Sequence, residues 1–342
     1  MFAATTRVAA PAAAVQSQRR SVRAAASGVP RRDVMLAGGA LMGLMASPAM
    51  AEGEIATRKV GEISVDSLSG FQRSAQRDAM LARINTYLKE GLTYEDASTC
   101  LRLVLNDAAT FDLPSKTGGM DGSVVFELDR PCNKGLDATV AKLKGIKAKI
   151  DEESTKVGQG EVSWADLLVC AGRIATLALW RKQKVDKAQI PSGGETIATA
   201  FGADWPVRLG RVDATEAGPN VAVPQPGDDV ETIKEFFFKL NYKNAGEPIS
   251  RFGPKPPFWY KPTLLLLGAA STDMNAEEER LVAADEAFKN GKVGYDRSRR
   301  TVTRTDYEVD FVTFYTNLTN LGAKFDNKKY LVPVSVDLPK KL

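Results

Sequence analysis

Arg102 and Asn106 stand four residues apart, so on a helix both project from one face, about 6 Å apart along the axis. A guanidinium placed there can stabilise charge that develops on a bound oxygen. The Asn106 amide can donate and accept hydrogen bonds, but it cannot take up a proton near neutral pH. Imidazole is the usual group for that work, and this chain contains no histidine. Asp107 adds one carboxylate beside the pair, with no second acid or metal motif to act with. Cys100, Cys132 and Cys170 lack CxxC spacing, and three thiols without histidine make a poor zinc site, so no metal is expected. One disulfide plus a free thiol, with a redox-sensing role for Cys100 and Cys132, stays open. Cys170 lies in an apolar stretch and reads as inert core.

These residues need a helix to hold them. Thr93 can start one, with Asp96 three residues on as its capping partner. Ala97, Leu101, Val104, Leu105 and Ala108 then make one apolar stripe, which predicts a helix over 94–110. Before it, residues 52–70 read as a loose arm and 71–90 as an amphipathic helix closed by Gly91. After it come a lysine-bearing amphipathic segment over 140–150 and a buried helix from Trp164 to about Trp180. Ser163 is the N-cap of that helix, and capping alone accounts for Asp166. Residues 181–205 read as a connection, 206–213 as a turn and 214–229 as a proline- and glycine-rich link. A short helix is predicted over 230–240. None is predicted over 244–262, which holds five prolines and the cluster Phe258-Trp259-Tyr260. An acidic helix over 275–289, a non-periodic basic stretch over 292–306, a helix over 307–321 and an extended tail from Lys328 complete the pass.

The 342 residues carry a formal charge of +4, but its distribution removes the polyanion reading. Residues 1–51 hold six arginines and one acid, leaving 40 basic against 41 acidic residues beyond them. Residues 1–30 contain alanine, serine and arginine and no acid, as organellar transit peptides do. Arg31-Arg32 then precede an apolar run and the small-residue site Ala49-Met50-Ala51, which reads as a twin-arginine export signal. The two-stage address implies the chloroplast thylakoid lumen. No later stretch approaches 18 apolar residues, so neither a nucleic-acid partner nor a transmembrane segment is expected of the mature part.

The segments LRLVLNDAATF (101–111), GGMDGS (118–123), NKGL (133–136), SWADLLVCAG (163–172), PVRLGRVD (206–213), LVAADEA (281–287) and FVTFYTNLTNLGAKF (311–325) occur in a fixed order. Together they resemble the class I plant-type haem peroxidases, ascorbate peroxidase most of all. GGMDGSVVFELDRP (118–131) and the ending at 322–325 are similar to the family's thylakoid-lumen, ascorbate-peroxidase-related, non-catalytic branch. The resemblance implies a mostly α, two-lobed haem-peroxidase-like fold with few short strands. It divides the chain into a leader (1–51), an N-terminal arm and helix (52–92), a peroxidase-like domain (93–325) and a tail (326–342).

It also implies what is missing. The family has a histidine at the place of Asn106, beside a catalytic arginine at Arg102. Asn133 matches the asparagine that orients that histidine and is left with nothing to orient. Asp285 matches the aspartate behind the proximal iron ligand. The Gly-Ala-His-Thr-like core bearing that ligand has no counterpart between 230 and 270. No catalytic residue, haem or metal is therefore expected, and Arg102, Asn106, Asn133 and Asp285 are degenerate positions. Arg102 then reads as an ion-pairing or capping arginine, Asn106 as bonded to backbone or water, and Trp164 as core. Asp285 reads as exposed or paired with a base. The run Arg297, Arg299, Arg300 and Arg304 reads as a solvated loop or a patch for docking an acidic lumenal surface. The expected protein is a pseudoenzyme that serves as an accessory or binding protein of photosystem II. The alternative is a residual haem peroxidase removing hydrogen peroxide under oxidative stress, with Cys170, Met274 or Tyr260 as the ligand type.

Overall fold

The computed structural model describes residues 57–112, 114–187, 205–240, 242–244, 247–248, 267–268, 271–300 and 306–339. Where the sequence predicts a loose arm, strand β1 (Thr57–Ile63) forms. Its partner is the last strand, so no local pattern announces it. Helix α1 (Gly70–Gly91) starts at a full capping box, in which Ser69 N–H donates to Gln72 Oε1 at 2.9 Å and Gln72 N–H to Ser69 Oγ at 3.3 Å. It buries Met80, Ile84 and Leu88 at helical spacing.

Thr93 caps a 3-10 turn, Tyr94–Asp96, with its N–H on Asp96 Oδ2 at 2.7 Å. Helix α2 (Ala97–Ala109) follows directly. The predicted stripe from Ala97 to Ala108 is buried throughout, and each fully buried Leu or Val contributes about 1.5–3 kcal/mol of transfer free energy. Helix α3 is Asp137–Lys156 and α4 is Trp164–Lys187. Helix α4 passes the predicted end at Trp180. Lys184, in its last turns, is buried and paired with Glu308 at 3.0 Å, which anchors a segment that reads as basic linker.

Helix α5 (Val230–Leu240) has the predicted bounds. A short antiparallel pair, β2 (Tyr242–Asn244) and β3 (Glu247–Pro248), enters the stretch where no regular element is predicted. The acidic helix is two helices, α6 (Met274–Ala284) and α7 (Glu286–Arg300), broken at Asp285. Residues 292–300, predicted non-periodic, belong to α7. Phe288 and Tyr295 are seven apart and both buried, while the polar residues between them hide the period. Helix α8 (Asp306–Leu318) and strand β4 (Val334–Pro339) follow, and β4 pairs with β1.

Helix α2 lies chiefly against α4, and Tyr315 of α8 reaches α4 near the same place. Gly172 permits that approach: a Cβ there would fall inside contact distance of the Tyr315 hydroxyl and 3.2 Å from Val104 Cγ2. Tyr315 donates instead to the Val169 carbonyl at 2.8 Å. Trp180, Trp205, Phe311 and Tyr315 form an aromatic cluster with centroids 5.0–6.3 Å apart along its contacts. Among the described residues, no helix is long and apolar enough to cross a membrane.

Candidate functional site

The polar face of α2 meets the segment 122–134. Asn133 ends a 3-10 turn (Pro131–Asn133) and is fully buried. Its Nδ2 donates to the Glu127 carbonyl at 2.8 Å, which turns its Oδ1 toward α2. Asn106, only 4% exposed, meets that oxygen with its Nδ2 at 2.6 Å and also donates to the Cys132 carbonyl at 3.0 Å. Asn133 therefore does have something to hold, contrary to the sequence reading. Arg102, one turn earlier, donates to the same Cys132 carbonyl at 2.9 Å, to the Lys134 carbonyl at 3.3 Å and to Gln225 Oε1 at 3.3 Å. The guanidinium is thus a clamp on backbone rather than the ion-pair member the sequence allows. Chemically, this face offers hydrogen bonds and no base.

Asp107 points elsewhere. It accepts from the N–H groups of Gly122 and Val124 at 2.8 and 2.9 Å and from Ser123 Oγ at 3.4 Å. Gly122 takes φ +78°, which lets the turn present those N–H groups. Complete burial pushes the Asp107 carboxyl up to about 8, against the pull of the two N–H groups, with Asp121 and Glu127 adding to the rise.

At the start of α4, Ser163 Oγ accepts the Asp166 N–H at 3.2 Å, as predicted for a cap. Capping does not exhaust Asp166, however. Its buried carboxylate pairs with Arg211 Nη1 at 3.0 Å and accepts from Gly210 N–H at 2.7 Å and the Tyr330 hydroxyl at 2.9 Å. Arg211 in turn donates to the Thr319 carbonyl at 2.8 and 3.1 Å. Asp213 caps the helix from outside, accepting from the Trp164 and Ala165 N–H groups at 2.8 and 3.0 Å. Sequence reasoning missed both, since neither partner lies in the local pattern of α4. Trp164 is half-buried against the core.

Asp285 closes α6 and pairs with Lys234 of α5 at 2.5 Å. Burial alone would raise its carboxyl, but Lys234 and the Ala287 N–H hold it below the usual range. Arg297 is exposed on α7, and Arg299 and Arg300 end that helix rather than lying on a loop. Arg304, Tyr260 and the rest of Phe258-Trp259-Tyr260, together with the leader, lie outside the described residues. All three cysteines are free thiols, and burial pushes Cys100 and Cys170 up to about 12. No group of acids and cysteines among the described residues could hold a metal ion.

A family model described as peroxidase matches residues 79–245. The thylakoid lumenal 29 kDa protein, chloroplastic, of Arabidopsis thaliana is 31% identical over 314 residues, covering 89% of this chain and 82% of the relative. The chain belongs to the peroxidase family. The Solanum lycopersicum protein of the same description is 30% identical and covered over 83% of its length. A putative L-ascorbate peroxidase 6 of Arabidopsis thaliana is 28% identical over 70% of this chain. The crystal structure of the TL29 protein from Arabidopsis thaliana aligns with a TM-score of 0.61 at 30% identity, covering 76% of this chain and 98% of that one. The mostly helical peroxidase fold implied by the motifs is therefore the fold of this chain. The relatives' names carry the compartment expected from residues 1–51, and this peroxidase-family protein is one of the thylakoid lumen.

Proposed function

We propose that this peroxidase-family chain is a lumenal pseudoenzyme: an accessory or binding protein associated with photosystem II, without haem and without peroxide turnover. The observation that carries the reading is the closure of the α2 face. Asn106 and Arg102 share the Cys132 carbonyl, and Asn106 is locked to Asn133. Peroxide cleavage needs a group that takes a proton from one oxygen and returns it to the other, and an amide does neither.

Among the described residues, the candidate donors do not fit haem. Histidine is missing from the chain. Cys170 is a fully buried thiol in the middle of α4, held protonated by burial, so it offers no thiolate. Met274, the first residue of α6, packs against the hydrophobic core.

Haemin titration of the purified protein tests the enzyme half of the proposal. The expected outcome is no Soret band and no hydrogen-peroxide-dependent oxidation of ascorbate. A saturable Soret band with turnover would replace it by the residual peroxidase. Native co-purification from thylakoids with washes of rising salt tests the other half. Recovery with photosystem II is expected, and recovery only in the free lumenal fraction would refute the association.

A further inference from the structure

A cleft of about 340 Å³ lies between one face of α1 and the turn at 207–209, with Asn327 also in its lining. Arg73 and Arg77, one turn apart on α1, line one wall and Arg208 lines the other. Asp78 is the single carboxylate in the lining, and it accepts from Ser74 Oγ at 3.3 Å. The three guanidinium groups have no ion-pair partner among the described residues. Arg73 donates through Nη2 to the Asp66 carbonyl at 3.0 Å, and Arg77 through Nη2 to the Asn327 carbonyl. Their Nε atoms are buried and have no hydrogen-bond acceptor among the described residues. Arg208 is held in place by the Phe325 ring, with its Cζ 3.8 Å from the ring centroid.

Three like charges around one cleft repel, and buried N–H groups without acceptors cost stability, so a fold ordinarily answers both with carboxylates. Here Asp78 is the one carboxylate in the lining, and Asp66, near Arg73, is already paired with Lys328 at 2.6 Å. An oxyanion supplies the missing acceptors and the missing charge at once, and the fork of N–H donors on arginine suits carboxylate and phosphate oxygens. The volume is at the lower end of small-molecule sites. We propose that this cleft binds a small polyvalent oxyanion, a carboxylate- or phosphate-bearing metabolite. No residue of the cleft belongs to the α2 face, so the proposal stands or falls independently of the pseudoenzyme reading.

The test is calorimetric titration of the full protein at constant ionic strength with inorganic phosphate, succinate and, separately, a hexapeptide of glutamate. Saturable binding of phosphate or succinate at one site per chain is expected, and the stronger of the two names the anion class. Arg77→Gln and Arg208→Gln should each weaken it at least tenfold, while Lys89→Gln leaves it unchanged. Arg208 is exposed and gives up only its stacking on Phe325, so Arg208→Gln with an unchanged Tm separates lost binding from lost folding. The proposal is overturned if neither anion saturates beyond a chloride control, if Arg208→Gln binds as the parent does, or if only the peptide binds.

Discussion

Asn106 donates to Asn133 Oδ1 at 2.6 Å, and Asn133 passes the connection on to the Glu127 carbonyl at 2.8 Å. The two amides thereby join helix α2 to the loop that crosses its polar face. A base at residue 106 would need a basic lone pair toward a substrate, whereas both N–H groups of this amide are held by protein and its oxygen is too weak a base to take up a proton. On the proposed reading, a position that the family's motif gives to chemistry serves here as a fastening.

Removing the fastening has a measurable cost. Asn133→Ala leaves one Asn106 N–H without a partner inside the protein, while the Glu127 carbonyl keeps only the Arg130 N–H at 3.0 Å. We expect a loss of about 1–3 kcal/mol in denaturant unfolding. A change within about 0.5 kcal/mol, the range of an ordinary surface substitution, would show that the amide pair holds nothing.

The Asp166–Arg211 pair should be costlier to break, because both ends are buried and each has further partners. Arg211→Met strands a buried carboxylate and is expected to lower stability by about 3–5 kcal/mol. Asp166→Asn with Arg211→Met together should cost less than the sum of the single changes. Strict additivity in the double-mutant cycle would dismiss the pair as a coupled unit.

Burial of Asp107 sets a pH dependence with a definite sign. Its carboxyl sits at about 8 in the fold and about 4 in the unfolded chain. Between those values the folded state holds a proton that the unfolded state lacks, so stability falls as pH rises from 4 to 8. Asp96 and Asp285, both held below the usual range, act oppositely and lose their contribution only in more acid solution. Thermal unfolding from pH 5 to 8.5 should show Tm falling with pH, and Asp107→Asn should flatten the slope. An unchanged slope in that variant assigns the dependence elsewhere.

Gly172 offers a steric test. Gly172→Ala places a methyl group against the Tyr315 hydroxyl and should cost about 1–3 kcal/mol. Tyr315→Phe removes the clashing oxygen, so it should recover part of that loss in the double variant. No recovery would mean that the helix backbones, and not this hydroxyl, set the limit.

Thiol chemistry gives a simpler readout. Cys132 alone of the three is partly exposed, and burial raises all three thiols. Native protein should label slowly at Cys132, and denatured protein at all three. A Cys100–Cys132 disulfide in protein isolated from the lumen would revive redox sensing.

What could be read in advance follows the range of the interactions. Helix α2 declares itself because its stripe is local, and α5 because Val230, Ile233 and Phe237 repeat at helical spacing. The site residues were legible only through ordered motifs, which name positions but not contacts. That is why the Asn106–Asn133 bond and the hold of Arg102 on Cys132 were not foreseen. Asp166 and Arg211 are 45 residues apart, and capping explains Asp166 well enough locally to hide its real partner. The α7 helix escaped because its two large buried apolar residues, Phe288 and Tyr295, are separated by polar residues, and Lys292 satisfies Glu278 at 3.0 Å across to α6.

Strand β1 begins six residues beyond Ala51, and the residues that pair with it are 334–339. An emerging chain cannot complete this sheet until synthesis has reached its final strand. Clipping beyond Pro333 would equally expose β1 as a bare edge, open to pairing with another molecule. Integrity of the last strand is thereby proofread at β1, and a tag or cleavage placed after β4 acts on a strand about 270 residues earlier in the chain.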